Sequence, residues 1–430
     1  MGNKLKRFLM QLMIIITSLF GLYGHVNSDR LATSTAEVDT LIHVHVIFRH
    51  GDRTPWLLMP SDLENALESW PEGLGELTQL GIEQQFQLGR ILRHRYDHWL
   101  PQDYHSTLLY VQSSDRNRTL MSAQANMAGL FPVRSNLPVY PIPIHTKAFE
   151  NDRIFNDRVV CPVAEEEERL VYKSTAYTEQ AKKFAQLLQL LGESSGFGTV
   201  PLAYSDVWKV YDSLFAQFSH PDTHKMPRWV TQKLFTELSR AYDLSANGLY
   251  ASNKLVRLRG GPILEDVVNR MDRKINDGSD VKDQRLYIYS GHDTTIGSFL
   301  ATLSIIPQVF PGYAFAVMIE LHKQPDGRHV VRLFYRNNTL TDDIFELEIP
   351  GCQQSCSFDH IKEIATKMVP KDWIKECGIE ETTPIHESST LLIVTTILSA
   401  VAVLFTTLIL AVQFYQIKKQ RQCSLTLPDP

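Results

Sequence analysis

The segment Thr40-Leu-Ile-His-Val-His-Val-Ile-Phe48 runs directly into Arg49-His-Gly-Asp-Arg-Thr-Pro55. Its first part is rich in β-branched residues with partial alternation, which predicts a β-strand. In the second part, Gly51 allows a close approach of the backbone, and Pro55 stiffens the exit of the loop. We therefore expect a strand that presents a histidine between two arginines at its carboxyl end.

Two later segments repeat this arrangement of an apolar strand followed by polar residues. Thr107-Leu-Leu-Tyr-Val111 leads into 113–122, and Arg285-Leu-Tyr-Ile-Tyr289 leads into 290–295. Continuous apolar strands indicate a sheet buried on both faces, and a helical pattern over 77–95 lies between the first two strands. Alternating strands and helices predict an α/β sheet flanked by helices. In such sheets, ligands bind at the carboxyl ends of the strands.

The rest of the folded part contains a hairpin and a helical region. Strands are expected over 313–321 and 329–335, joined through the turn Gln324-Pro-Asp-Gly327. The middle of the chain, roughly 175–272, is mainly helical in pattern. We expect this range to form a helical cap over the sheet.

The amino-terminal residues 1–28 have the pattern of a signal peptide. A basic segment precedes the apolar stretch 8–22, and small residues suit cleavage before Asp29. The stretch is short for a membrane span of about 20 residues, so cleavage is preferred over an uncleaved signal anchor. The mature lumenal or extracellular domain is then expected over 29–387.

A second apolar segment, 391–412, contains no charged residue. As a helix rising 1.5 Å per residue it would reach about 33 Å, enough for a hydrocarbon core of about 30 Å. Lysines and an arginine follow it, so the positive-inside rule places 413–430 in the cytoplasm. A GPI signal would end in its apolar tail, without a basic extension. We predict a single-pass type I membrane protein of the cell surface, lysosome or endosome.

Charge and cysteine content restrict the class of protein further. The formal net charge of −5 over 430 residues argues against a general nucleic-acid binder, which would carry a basic face. An even number of cysteines precedes the apolar segment, as expected in an oxidising compartment. Cys352 and Cys356 lack the spacing of a zinc ribbon, which favours a local disulfide loop.

The polar residues at the strand ends suit the hydrolysis of a phosphate monoester without a metal. Such an enzyme needs fixed cations around the phosphoryl oxygens, an in-line nucleophile and an acid for the leaving oxygen. Arginine is the better cation because its planar fork meets phosphate bidentately. Imidazole can serve as the nucleophile and form a covalent intermediate.

At these residues the sequence resembles a known family. Arg49-His-Gly-Asp-Arg-Thr-Pro55 is similar to the Arg-His-Gly-x-Arg-x-Pro signature of the histidine acid phosphatases. Arg118-Thr-Leu-Met-Ser-Ala123 resembles their second phosphate-binding block, and His292-Asp-Thr-Thr295 resembles their His-Asp motif. The resemblance covers roughly 41–377. It implies a phosphoglycerate-mutase-like central sheet and acid phosphatase activity on small-molecule phosphate monoesters, through a phosphohistidine intermediate.

The resemblance also implies roles for individual residues. His50 is the nucleophile, and Asp293 is the general acid that afterwards activates water. The implied phosphate ligands are Arg49, Arg53, Arg118 and His292, and neither a metal nor a cofactor is expected. The implied disulfides join Cys161 to Cys377 and Cys352 to Cys356. Members of the family often dimerise, so a homodimer is an expectation.

Several further expectations concern neighbouring residues and conditions. Spacing to the second block selects Arg118 over Arg116 as the phosphate ligand, and His43 and His45 are expected in the core. Asn337 is expected to carry a glycan and Asn117 none. Activity is expected to be highest at about pH 4 to 6, where a phosphate monoester carries its own proton, with His292 protonated.

The alternatives are a mutase of the phosphoglycerate type, an inositol-phosphate or lipid-phosphate phosphatase, and a catalytically silent receptor ectodomain. Secretion and the Asp293 carboxyl argue against the mutase. The presence of both His50 and Asp293 argues against the silent receptor.

Overall fold

The computed structural model describes residues 30–31, 35–37, 39–132, 140–279, 281–352, 355–379 and 387–424. The predicted signal peptide, 1–28, lies outside these residues. The strands are β1 (Arg30–Leu31), β2 (Leu41–Arg49), β3 (Leu109–Ser113), β4 (Leu286–Gly291), β5 (Ala316–Lys323), β6 (His329–Arg336), β7 (Phe345–Leu347) and β8 (Cys356–Ser357).

The α-helices vary from single turns to a helix of 38 residues. They are α1 (Gln79–Arg95), α2 (Asn117–Leu130), α3 (Pro162–Lys173), α4 (Thr175–Lys183), α5 (Ala185–Ser195), α6 (Val207–Ser219), α7 (Gln232–Ala246), α8 (Asn253–Ile275), α9 (Asp293–Thr302), α10 (Phe358–Met368), α11 (Trp373–Glu376) and α12 (Glu387–Ser424). Short 3₁₀ helices lie at Leu67–Ser69, Phe149–Asn151, Tyr204–Asp206 and Asn247–Tyr250.

The strands form one mixed sheet in the order β1-β7-β6-β5-β2-β4-β3, and β8 pairs with β6. β2, β4 and β3 run parallel. β5 lies antiparallel to β2, and β6 and β7 continue the antiparallel half. The predicted α/β fold, a central sheet flanked by helices, is confirmed.

The predicted hairpin is also confirmed, as β5 and β6. At its turn the Gln324 N–H donates to the Arg328 carbonyl over 2.8 Å. Gly327 has a φ of +86°, a left-handed conformation that glycine adopts without strain.

Apolar residues cover both faces of the sheet. On one face, Val46 and Phe48 of β2 pack with Leu88 of α1 and Met127 of α2. On the opposite face, Ile47 belongs to a cluster formed with helices α8, α9 and α10. Because both faces are buried, β2 is mostly apolar, apart from His43 and His45, and its charged residue lies at the carboxyl end.

Helices α4 to α7 pack around a core separate from the sheet. Their shared core includes Leu187, Leu191, Leu214 and Leu238. The next helix, α8, instead packs against the sheet. The predicted cap range of 175–272 therefore contains four helices with their own core and most of a helix that covers the sheet.

The carboxyl-terminal helix α12 belongs to a unit separate from the body. Its stretch Val394–Lys419 is long and apolar enough to cross a membrane. This stretch contains most of the predicted span 391–412. Helix α12 also extends into the predicted tail 413–430, of which 425–430 lie outside the described residues.

Candidate active site

The three parallel strands end at one edge of the sheet, as predicted. The His50 N–H donates to the Gly291 carbonyl over 3.0 Å, which joins the ends of β2 and β4. The Ser114 N–H donates to the Ser290 carbonyl over 3.1 Å, which joins the ends of β3 and β4. The polar residues that follow the three strands are thereby brought together.

His50 is buried, and its two ring nitrogens have different roles. Nδ1 lies 2.8 Å from the Gly51 carbonyl oxygen. A carbonyl can only accept, so the proton is assigned to Nδ1, which leaves Nε2 with a free lone pair. Burial, and then the charges of Arg118 and Arg49, lower the pKa of His50 well below its ordinary value. The imidazole therefore stays neutral in mildly acidic solution.

The loop after His50 is held tightly against α1. A Cβ on Gly51 would overlap the carbonyl oxygen of Gly81, so no other residue fits without moving the helix. The Gly51 N–H also donates to Ser122 Oγ over 3.2 Å. The Asp52 N–H donates to Gln84 Oε1 over 2.8 Å. This attachment explains why the loop requires glycine directly after the histidine.

Arg49 extends towards the start of α9. Its Nη1 donates to the Pro311 carbonyl over 2.6 Å, and its Nη2 lies 2.9 Å from Asp293 Oδ2. The guanidinium also stacks over Tyr313, with Cζ 4.7 Å from the ring centroid. These contacts fix the plane of the guanidinium beside the proposed acid.

Arg53 is held by helix α6. Its Nη2 lies 2.5 Å from Asp212 Oδ1 of α6, and the other oxygen of this carboxylate accepts the Trp56 N–H over 2.7 Å. Burial is the largest single influence and would lower the pKa of Arg53. The charge of Asp212, Tyr313, the hydrogen bond to Asp212 and the charge of Asp293 together raise this pKa above its ordinary value. Arg53 therefore keeps its charge.

Arg118 lies in the first turn of α2, with Cζ 5.0 Å from the ring of Trp56. Burial, and then the charge of Arg53, lower the pKa of Arg118 to about 9. The Nε atoms of Arg49, Arg53 and Arg118 are all buried without a hydrogen-bond acceptor among the described residues. Buried donors are almost always paired, so three unpaired donors on mutually repelling cations favour binding of a multivalent oxyanion here.

His292 and Asp293 open helix α9. The His292 N–H donates to Thr295 Oγ1 over 3.1 Å, and its Nε2 lies 2.9 Å from Ser114 Oγ. The His292 ring centroid is 5.7 Å from that of His50. Asp293 faces this group with a side chain 19% exposed, so solvent and a leaving group can reach it.

The structure does not favour the protonated His292 that the sequence analysis expected. Burial, and then the charges of Arg118 and Arg49, lower the pKa of His292 well below its ordinary value. A second positive imidazole among three arginines would be costly without a bound anion. The sequence could not reveal this, because the burial of His292 depends on the packing of distant segments.

The structure thus brings all six predicted site residues to one edge of the sheet. It also adds three residues that the sequence analysis missed: Asp212, Ser114 and Tyr313. Asp212 lies 159 residues after Arg53 in the chain, and no local motif marks it. His43 and His45 are fully buried within β2, so their prediction as core residues is confirmed.

The cysteines pair in the structure as Cys161–Cys377 and Cys352–Cys356. His360 has a ring nitrogen within 4.8 Å of the sulfurs of the second pair. Because both sulfurs are bonded to each other, no thiolate is available to bind a metal there. Asn337 follows β6 and is half-buried, and Asn117 is exposed at the start of α2.

The sequence profile of the histidine phosphatase superfamily (branch 2) matches residues 40–336. The chain belongs to this superfamily. A Caenorhabditis elegans protein named as an acid phosphatase is 39% identical over 80% of this chain and 81% of its own length. Human prostatic acid phosphatase is 34% identical, covering 78% of this chain and 87% of its own. Bovine lysosomal acid phosphatase is 33% identical, covering 79% and 81%.

Solved structures support the fold of this histidine phosphatase. The phytase of Citrobacter braakii superposes with a TM-score of 0.60 at 16% identity, over 79% of this chain and 99% of its own. A Hafnia alvei phytase in complex with myo-inositol hexakis sulphate gives 0.59 at 17% identity, over 79% and 98%. At this identity the likeness concerns the fold alone. The predicted family and the predicted enzyme class, an acid phosphatase, are confirmed by the sequence relatives.

Proposed function

We propose that this acid phosphatase cleaves phosphate monoesters at the edge of the sheet through a phosphohistidine on His50. The observation that carries the proposal is the group of three buried arginines with unpaired Nε donors, gathered around a neutral histidine with a free Nε2. The phosphoryl group supplies three acceptor oxygens, and its negative charge offsets the repulsion among the arginines. We assign Arg49, Arg53, Arg118 and His292 to binding of the phosphoryl group.

In the first step, His50 Nε2 donates its lone pair to phosphorus while the bond from phosphorus to the leaving oxygen breaks. Asp293 gives a proton to that oxygen, so the product leaves as a neutral alcohol. In the second step, Asp293 takes a proton from water, whose oxygen attacks phosphorus. The bond to Nε2 then breaks, and free phosphate and the original histidine are restored.

The lowered pKa of His50 explains how a histidine nucleophile can work in acid. An ordinary histidine with a pKa of about 6.5 would be mostly protonated at pH 5 and unable to attack. Burial and the arginines hold the pKa of His50 well below its ordinary value, which favours the unprotonated imidazole in acid. We therefore propose a rate profile that is highest at about pH 4 to 6, where the ester is a monoanion.

We also propose that the enzyme is anchored as a single-pass type I protein, with 29–387 lumenal or extracellular and 413–430 cytoplasmic. The apolar stretch of α12 and the relatives named lysosomal acid phosphatase support this topology. The proposal includes cleavage of 1–28, a glycan on Asn337, a homodimer and no nucleic-acid partner. Protease added outside sealed, oriented membranes should release an active fragment that ends before Leu391.

The test of the catalytic proposal is acid quench of the working enzyme with substrate labelled in the phosphate. Label should appear on His50, and His50→Ala should lose the trapped label and reduce turnover below about a thousandth. His98→Ala, at an exposed position, is the matched control and should behave as the unchanged enzyme. Full turnover by His50→Ala, or label on another residue, would refute the assignment.

A further inference from the structure

Arg116 is a cation at the active-site edge to which the proposed mechanism gives no role. It lies between β3 and α2, and its Cζ is 3.8 Å from the centroid of the Phe149 ring. Its Nε is buried without a hydrogen-bond acceptor. In the part of the chain that the structure describes, no carboxylate lies within 4.0 Å of its nitrogens. Arg116 is therefore oriented by an aromatic ring, with its charge uncompensated.

The position of Arg116 relative to the site follows from two contacts. Phe149 meets the His292 ring edge to face, with centroids 6.5 Å apart. The guanidinium on Phe149 therefore stays within roughly one Debye length of His292, about 10 Å at 0.1 M ionic strength. The charge of Arg116 also contributes to lowering the pKa values of His292 and Arg118. Arg116 thus acts on the pocket electrostatically from its rim.

A further cation at the rim would serve little purpose for the transferred phosphate. Three arginines already surround that group, and the pKa of one of them, Arg118, is lowered by burial and then by its cationic neighbours. An anion outside the pocket, on the leaving part of the substrate, would meet Arg116 without competing for the same oxygens. Stacking on Phe149 leaves the edge of the guanidinium, where its N–H donors lie, free to bind such a group.

We propose that Arg116 forms a second oxyanion subsite, so that the preferred substrates are phosphate monoesters whose leaving part carries a carboxylate or a second phosphate. The inference rests on the proposed function of the site. The preferred substrates are defined by the distance between their two anionic groups. The transferred phosphate must reach His50 while the second anion contacts Arg116.

The test compares phenyl phosphate with the three carboxyphenyl phosphate isomers in the full-length enzyme. Arg116→Gln should lower kcat/KM about fivefold to tenfold for at least one isomer, as expected for one lost charge-assisted contact. It should change kcat/KM for phenyl phosphate by less than about twofold. Arg116→Lys should recover part of the loss, because it keeps the charge without the planar fork. A second comparison measures kcat/KM for glycerol 1-phosphate and for glycerol 1,3-bisphosphate, in which a phosphate is the second anion.

Arg285→Gln is the matched control. Arg285 also lies over an aromatic ring, with Cζ 5.7 Å from that of Trp99, but it precedes β4 at the opposite edge of the sheet. Arg285→Gln should leave the preference for carboxyphenyl phosphates over phenyl phosphate unchanged. As a measurement that needs no variant, added salt should reduce the preference of the unchanged enzyme for the carboxylated ester.

An equal loss on all esters would assign Arg116 to the transferred phosphate and overturn the subsite. No loss on any ester, or no preference in the unchanged enzyme, would overturn it as well. Failure of the unchanged enzyme to hydrolyse phenyl phosphate would instead refute the proposed function itself.

Discussion

Strand β2 carries histidines in two regions, its buried middle and its carboxyl end. His43 and His45 in the middle and His50 just after the end are all buried. Burial is also the largest cause that lowers the pKa of each of them. The difference between the two regions therefore lies in the groups that surround a neutral imidazole. Burial or a lowered pKa alone does not identify a catalytic residue.

In the middle of β2 the nearby cation is paired, although Nε2 of His43 and of His45 has no hydrogen-bond partner among the described residues. His45 stacks on Tyr289, with ring centroids 5.9 Å apart, and the Tyr289 hydroxyl donates to Asp266 over 2.7 Å. The nearby cation, Arg270, is paired with the same carboxylate over 2.8 Å. At the carboxyl end, by contrast, the arginine Nε donors have no acceptor among the described residues. Three arginines that keep unpaired Nε donors beside the imidazole distinguish the proposed site from the core, whereas an unpaired imidazole nitrogen occurs in both regions.

Beyond loss of the nucleophile itself, the largest effect expected at the proposed site comes from Asp293→Asn. An amide cannot donate the proton that an alkoxide needs, so turnover of alkyl phosphates should fall about 10²-fold to 10⁴-fold. The phosphorylation step on nitrophenyl phosphate should lose much less, because that leaving group is stable as an anion. Rapid quench resolves this step for both esters.

Arg49 provides an internal check on this experiment, because its Nη2 contacts Asp293. Asparagine keeps an oxygen that can accept from Arg49, so binding of inorganic phosphate should change little. If the phosphorylation step falls equally on both esters, Asp293 is not the acid and another group must protonate the leaving oxygen.

A smaller effect is expected from Arg118→Gln. Loss of one charged contact to phosphate should lower kcat/KM about tenfold to a hundredfold. After burial, the charge of Arg118 is the largest cause that lowers the pKa of His50. Removing this charge should raise that pKa, so activity should begin to fall at a higher pH on the acid side. The pH profile of kcat/KM measures both changes. If the fall in activity on the acid side stays at the same pH or moves to lower pH, the charge of Arg118 does not lower the pKa of His50.

The comparison also shows which features could be predicted from sequence. Arg49 ends β2, and His50 and His292 directly follow β2 and β4, so motifs that are contiguous in sequence also lie together in space. Their roles were implied by the resemblance of these motifs to the family. Asp212 was missed because its contact with Arg53 joins α6 of the cap to a loop far away in sequence. The residues next to Arg53 and Asp212 in the sequence do not indicate this contact.

The fold shows the same limit. The strand expected over 107–111 is observed at Leu109–Ser113, because the Leu108 N–H donates to the His105 carbonyl and closes a turn first. Strands of two or three residues, such as β1 and β7, are too short to show a period. They form through pairing with their neighbours.

The smallest expected effect concerns stability and belongs to the middle of β2. The pKa of His43 is lowered to about 3 by burial, whereas an unfolded chain has a histidine pKa of about 6.5. Below pH 6.5 the unfolded state therefore binds a proton that the folded state excludes, and stability must fall as the pH falls. Between pH 7 and pH 4.5, binding of this proton by the unfolded state lowers the free energy of unfolding by about 2 to 3 kcal/mol.

His43→Gln removes this titration without touching the proposed site. The variant should lose some stability at pH 7, because the ring of His43 packs 4.7 Å from that of His45. Between pH 7 and pH 4.5, the free energy of unfolding of the variant should fall by about 2 kcal/mol less than that of the unchanged enzyme. Its kcat should stay the same. Urea unfolding at the two pH values measures the difference, and His98→Gln, at an exposed position, should leave it unaltered. An equal acid loss in His43→Gln and the unchanged enzyme would mean that His43 is protonated in the folded state. The middle of β2 would then differ from its carboxyl end in protonation as well as in function.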